Sequence, residues 1–252
     1  MAAQHSVPDD RTLLDPKPGK LNTSVITSRP RLIHPWEASF HGIITSHLHF
    51  SDDLPDFLPK QLVPPEMRAA VKKRRAEFLA GQLCAQTSLK RAGFSSTMPT
   101  RNPDRSPLWP EGSAGSISHS RNEAIAIVGS TRLWKSLGVD IEHRAAPALA
   151  SLLRCDIMGS AEDKLMTACF SDMRFERVFS VKEAAFKAIY PLARKMFEFR
   201  DIEIISARAD GQLSLQLLRD LNCSWRTGST ITAYHSVIND VVLSIAGIPA
   251  ET

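Results

Sequence analysis

The stretch from Arg174 to Tyr190 constrains the fold of this chain most strongly. Phe175, Val178, Phe179, Phe186 and Ile189 recur at the three- and four-residue spacing of one helical face. The pattern predicts a helix over about Arg174–Tyr190 that ends before Pro191. Such a face must be covered by another layer, and the chain supplies strand candidates for it. Ile202–Ile205 and Leu213–Leu218 flank Asp210-Gly211, and Thr230–Val237 and Val241–Ile245 flank Asn239-Asp240. Those dipeptides favour the tight turns of hairpins.

The earlier half carries the same ingredients. Gly42 to Phe50 reads as a strand, and Pro64-Pro65-Glu66 as the start of a helix that runs to about Arg91 and stops near Gly93. Met67, Val71, Phe78, Ala85 and Leu89 fall on one stripe of it, and Arg74 projects into that stripe. Ala124–Val128 and Gly138–Glu142 are further strands, and Ser160 resembles an N-cap with an acid three positions on. The fold class is therefore α+β, with a long helix and several strands in each half. Residues 1–35, rich in Pro, Asp, Ser and Thr, read as a loose arm. An N-terminal half at 36–137 and a C-terminal half at 138–252 follow.

Composition narrows the function. No apolar run reaches the ~18 residues of a membrane span, and the N-terminus lacks the apolar core of a signal peptide. The four cysteines are scattered without a CxxC pair, which argues against structural zinc or a disulfide frame and fits a cytoplasmic protein. Net charge is only +4, with two tyrosines and no nucleic-acid-binding motif, so nucleic acid is not the expected partner. No GxxxxGK[ST] or GxGxxG motif is present.

Three sets of residues carry possible chemistry. Asp140 and Glu142 alternate with Ile141, so both carboxylates face one side of a strand. They are either two solvated acids at a strand end or a pair of hard donors for Mg²⁺. Glu183 and Lys187 lie four apart on the later helix. They make either a surface pair worth ~0.3–0.5 kcal/mol or part of a pocket wall. Lys182, near the centre of that helix's apolar face, favours the pocket, because a lysine there needs an anionic partner. Ser118-His119 is either part of a loop or a phosphate contact at the mouth of a strand. The dipeptide is no protease constellation.

The order of these pieces resembles the 4′-phosphopantetheinyl transferase superfamily. The likeness is greatest to its long monomeric bacterial branch, which includes the enterobactin synthase component D type. The segments that carry the likeness are KRRAEFLAGQ at 73–82, SPLWP at 106–110, GSISHS at 115–120, GVDIEH at 138–143 and FSVKEAAFKAIYPL at 179–192. Gln82, Ser106 and Phe179 stand where relatives often place an arginine, a basic or acidic residue, and a tryptophan. The resemblance implies two similar helix-plus-antiparallel-sheet halves related by a pseudo-twofold axis, with the active site in the cleft between them.

It further implies that 4′-phosphopantetheine passes from coenzyme A to a serine of an apo acyl or peptidyl carrier protein, with Mg²⁺ as cofactor and 3′,5′-adenosine bisphosphate as leaving group. The acidic carrier would belong to a fatty acid, polyketide, siderophore or other secondary-metabolite pathway. Asp140, Glu142 and Glu183 would hold the metal, Glu183 doubling as base, and Lys187 would touch the diphosphate. Ser118, His119 and Arg74 would meet coenzyme A phosphates, and Arg105, Ser106 and Pro107 its adenine end. A phosphohydrolase acting on a similar nucleotide, and a silent carrier-binding module, are the competing functions.

Overall fold

In a computed structural model, the described residues are 31–32 and 40–251. Most of the expected arm at 1–35 lies outside them. Its Arg31–Leu32 forms a short strand, β1, paired antiparallel with β2 (Ile44–His49). Helix α1 spans Lys72–Arg91, and the short strands β3 (Thr100–Arg101) and β4 (Pro107–Leu108) form a small hairpin. Next come β5 (Ser113–Ser120), β6 (Glu123–Ser130) and β7 (Trp134–His143). Helices α2 (Pro147–Ile157), α3 (Ser160–Cys169) and α4 (Arg174–Ala193) follow. The chain closes with β8 (Ile202–Ala207), β9 (Gln212–Leu217), β10 (Thr230–Ile238) and β11 (Val241–Pro249).

The strands form two main antiparallel sheets, ordered β1-β2-β6-β5 and β7-β11-β10-β9-β8. Helix α1 covers the first through Ala76, Leu79, Ala80 and Leu83, and α4 covers the second through Val178, Val181, Ala185 and Ile189. A third apolar cluster joins the two sheets, with Val139 and Ile141 of β7 against Ile125 and Ile127 of β6 and Ile245 of β11. The α+β class thus holds, with a long helix and an antiparallel sheet in each half.

Three sequence expectations shift. Helix α1 begins at Lys72, and Pro65–Met67 is a separate 3₁₀ turn. Val71 is 73% exposed at the helix entrance, so the stripe drawn through Met67 and Val71 does not exist. A helical wheel fails where the chain is not yet helical. Arg74 accordingly leaves the apolar face and is half exposed. In α4, Pro191 sits inside the last turn. It offers no N–H to the carbonyl four residues back, and the helix ends two residues later at Ala193, capped by Arg194, which is left-handed with φ 52°. Finally, α3 is capped from Gly159, whose N–H donates to Glu162 Oε2 at 2.9 Å, so Glu162 rather than Asp163 closes the box.

One glycine sets the distance between β7 and α4. A Cβ on Gly138 would lie 1.9 Å from the Ala184 carbonyl oxygen and 2.7 Å from the Ala188 nitrogen. The bare backbone lets the strand lie directly on the helix at its small residues. Gly138, Asp140 and Glu142 share a strand face, so this close approach carries both carboxylates to the Glu183–Lys187 side of α4.

Candidate active site

Ile117, Ser118, His119, Asp140, Glu142, Phe179, Glu183 and Lys187 line one cleft of about 360 Å³ between the two sheets and α4. Ser118 and His119 belong to β5 rather than to a loop, and alternation sends them to opposite faces. Ser118 Oγ donates to Asp140 Oδ1 at 2.8 Å, and Lys187 Nζ donates to Asp140 Oδ1 at 2.7 Å, Ser118 Oγ at 3.0 Å and the Val139 carbonyl at 3.1 Å. Glu183 and Lys187 are therefore cleft residues, not a surface pair.

The carboxylates are crowded. Asp140 is 3% exposed, and its Oδ2 is buried with no hydrogen-bond partner. Burial, reinforced by the Asp140 charge, pushes Glu142 up to about 8, with Lys187 and the Ser120 hydroxyl opposing. Burial also raises Glu183, Lys187 opposing and Asp140 adding to the rise. An orphaned carboxylate oxygen beside two acids that resist ionisation is what a divalent cation relieves. A purely oxygen donor set fits a hard ion such as Mg²⁺. Asp140, Glu142 and Glu183 all line this cleft.

The other face of β5 meets α1. Arg74 Nη1 lies 2.7 Å from His119 Nε2 and 3.2 Å from Glu77 Oε2. Arginine only donates, so Nε2 accepts and the imidazole proton sits on Nδ1, which faces Glu77 at 3.8 Å. Burial holds the His119 pKa below its usual value, aided by the Arg74 and Lys187 charges against Glu77 and Asp140. The ring is neutral.

Arg105, Ser106 and Pro107 do not line the cleft. Arg105 and Ser106 lie in the turn of the β3–β4 hairpin, where Ser106 Oγ donates to Asp104 Oδ1 at 2.6 Å, and Pro107 opens β4 opposite Arg101. Asp104 Oδ2 accepts from Tyr190 of α4 and from Arg194 just past its end, each at 3.0 Å, which ties this turn to the end of the helix that carries Lys187.

Two neighbours escaped the sequence reading. Glu77 orients Arg74 and His119. Arg101 lies over the Phe78 ring at 4.9 Å, its pKa lowered by burial and by the Arg74 and Arg105 charges, against Glu66. An arginine–aromatic contact between α1 and a hairpin has no short-range sequence signal.

The family model for the 4′-phosphopantetheinyl transferase N-terminal domain matches residues 59–129, and that for the 4′-phosphopantetheinyl transferase superfamily matches 136–246. Enterobactin synthase component D of Salmonella typhimurium is 30% identical over 184 residues, 72% of this chain and 76% of that protein. The 4′-phosphopantetheinyl transferase Svp of Streptomyces mobaraensis is 32% identical over 179 residues, 68% and 71% of the two chains. The 4′-phosphopantetheinyl transferase PptT of Mycobacterium tuberculosis is 28% identical over 154 residues, 60% and 67% of the two. The first family match ends in β6 and the second opens in β7, so between them they take in the strands and the helix that build the cleft, and the chain belongs to the 4′-phosphopantetheinyl transferase superfamily.

Proposed function

We propose that this cleft binds coenzyme A beside a divalent cation, Mg²⁺, and transfers its 4′-phosphopantetheine to a serine of an apo acyl or peptidyl carrier protein. The observation that carries the site assignment is the buried, unpartnered Asp140 Oδ2 in a cleft shared with two acids of raised pKa, with the Lys187 ammonium at Oδ1. A cation held by Asp140, Glu142 and Glu183 would neutralise diphosphate charge and polarise its oxygens when bound.

The chain's own residues supply the rest. Lys187, a quarter exposed, has its ammonium held by Asp140 Oδ1, Ser118 Oγ and the Val139 carbonyl, and it would exchange one of these three acceptors for a phosphate oxygen. Arg74, with Arg101 and Arg105 near it, offers charge to the adenosine phosphates. In the reaction the serine hydroxyl oxygen bonds to the β-phosphorus, the bond from that phosphorus to the bridging oxygen breaks, and 3′,5′-adenosine bisphosphate leaves. Glu183, made more basic by burial, takes the serine proton as its carboxylate. Positioning and charge dominate such a transfer.

A protein acceptor finds support on the far side of Glu183. That residue also lines a pocket of about 350 Å³ with Phe186, Met196, Phe197 and Phe199, and Met196 is 68% exposed. An apolar mouth beside the base suits a folded carrier better than water alone. We assign the enzyme to the cytoplasm and to a monomer, consistent with two helix-plus-sheet halves in one chain. Among the described residues, no helix is long and apolar enough to cross a membrane. The functional test is release of 3′,5′-adenosine bisphosphate from coenzyme A with and without apo carrier. Release that requires the carrier is expected; equal release without it would make the protein a hydrolase.

Arg74→Ala is expected to raise KM for coenzyme A roughly 10-fold or more, the cost of one charge-assisted hydrogen bond. Lys72→Ala should change it less than about twofold, because Lys72 is engaged with Asp53 and Asp56. Steady-state kinetics check the pair, and equal effects would remove Arg74 from the site.

The raised Glu142 gives a pH signature. Its folded pKa of about 8 lies above the ordinary carboxylate value, so the folded protein binds more protons than the unfolded chain between the two. Cation-free stability therefore falls as pH rises through that window. Glu142→Gln should flatten the fall by several degrees in Tm, and Mg²⁺ should stabilise wild type more at about pH 9 than at about pH 6. Thermal melts at both pH values, with and without Mg²⁺, decide it; identical pH slopes in wild type and variant contradict it.

A further inference from the structure

At the open edge of the face that the first sheet turns toward the second, away from α1, another cluster gathers around Glu123. His47 and His49 share one face of β2, whereas Ser46 and Leu48 between and beside them are buried toward the helix side. Glu123 opens β6 directly opposite His49 in the strand register. His47 Nε2 lies 3.0 Å from Glu123 Oε2, and His49 Nδ1 lies 3.3 Å from Oε1. One ligand atom from each of the three residues falls within 4.8 Å of the others. His143, at the end of β7, brings Nε2 to 3.6 Å from Glu123 Oε1, and its Nδ1 lies 3.3 Å from Ser120 Oγ.

We propose that His47, His49 and Glu123 form a site for a borderline divalent transition cation of the Zn²⁺ class, with His143 as the outer partner of the carboxylate. Two imidazoles and one carboxylate are the donors such ions take, with a fourth position left to solvent. Bonds of ~2.0–2.1 Å in a tetrahedral arrangement set ligand atoms about 3.3 Å apart; His47 and His49 reach opposite oxygens of Glu123 at 3.0 and 3.3 Å, and one atom from each of the three residues lies within 4.8 Å of the others, so small side-chain shifts bring the set onto one ion. The donors stand on paired strands, which fixes their spacing, and His47 and Glu123 are only 17% and 15% exposed at their side chains. The half-exposed His49 leaves an entry path. His143 supplies the outer contact that metal-bound carboxylates ordinarily have.

This site differs in chemistry from the acidic cleft. The cleft offers oxygen donors to a hard ion, whereas the sheet face offers nitrogen. Ser120 connects them: its Oγ donates to Glu142 Oε2 at 3.4 Å and meets His143 on the other side.

The test titrates Co²⁺, a spectroscopic substitute for Zn²⁺, into the full chain with Mg²⁺ in large excess. Expected are the intense visible bands of tetrahedral Co²⁺ at one equivalent, abolished by added Zn²⁺. They should be lost in His49→Ala and in His47→Gln and kept in Asp140→Ala. His49 is exposed, so cation-free melts of His49→Ala should match wild type and separate lost binding from lost fold. Bands kept by both histidine variants, bands lost only in Asp140→Ala, or no bands in wild type would each overturn the site.

Discussion

Asp140→Ala is expected to lower phosphopantetheine transfer by at least about three orders of magnitude while the protein still folds. The carboxylate has a separate task at each oxygen. Oδ1 anchors Lys187 and Ser118, and Oδ2 is buried without a hydrogen-bond partner. Alanine removes an acidic donor and frees the Lys187 ammonium, which would keep only Ser118 and the Val139 carbonyl. One preorganised contact is worth ~10²–10³ in rate, and here two are lost together. Stability should move little, because the deleted group is a buried charge with one oxygen unsatisfied. The variant also relieves Glu142 of a neighbouring charge that helps to raise it. Its cation-free melts should therefore depend less on pH than those of wild type. Transfer rates with thermal melts check both, and a rate within tenfold of wild type would remove Asp140 from the centre of the mechanism.

The largest stability effect should come from Glu162→Ala, at about 3–5 kcal/mol. Lys182 and Glu162 form an ion pair at 2.9 Å with side-chain exposures of 1% and 2%. The ammonium also donates to the Ile157 carbonyl at 2.8 Å and the Phe199 carbonyl at 2.9 Å, while Glu162 accepts from the Gly159 and Ile204 backbone N–H groups. Every charge is answered, and the pair ties α3 and β8 to α4.

Burial lowers the Lys182 pKa, and Glu162 opposes that fall. Without Glu162 the folded pKa drops further below the unfolded value, so the unfolded chain binds the extra proton. The loss then grows as pH decreases. Melts should show a Tm drop of roughly 10 °C near neutrality, larger at about pH 6 than at about pH 9. Lys182→Met should cost less, since Glu162 keeps both backbone donors. Equal losses for the two variants, or a Glu162→Ala penalty below about 1 kcal/mol, would mean the pair contributes little.

The sequence foretold this pair only in part. A lysine at the centre of an apolar helical face requires an anion, but helical spacing on α4 does not say that the anion waits on α3. The same divide runs through the whole molecule. Period-two alternation places Asp140 and Glu142 on one face, and period 3.6 places Glu183 and Lys187 on one flank. Those local rules hold wherever the element itself is regular. They fail at the entrance of α1, where Pro65–Met67 turns as 3₁₀ and the wheel through Val71 and Arg74 loses its meaning. They also fail at Pro191, because a proline in the last turn costs α4 little. Ser118 meets Asp140 through the packing of β5 on β7, which no spacing encodes. The histidines around Glu123 converge from β2 and β7, far apart in sequence.

In the proposed mechanism, three carboxylates from β7 and α4 close on one cation beside the diphosphate. Crystals grown with coenzyme A and Mn²⁺, measured at the Mn absorption edge, test it most directly. The expected result is an anomalous peak bounded by Asp140 Oδ2 and the carboxylates of Glu142 and Glu183, touching the diphosphate of a coenzyme A that also contacts Lys187. A coenzyme A bound with no peak among these carboxylates, or with its diphosphate away from Lys187, would contradict it.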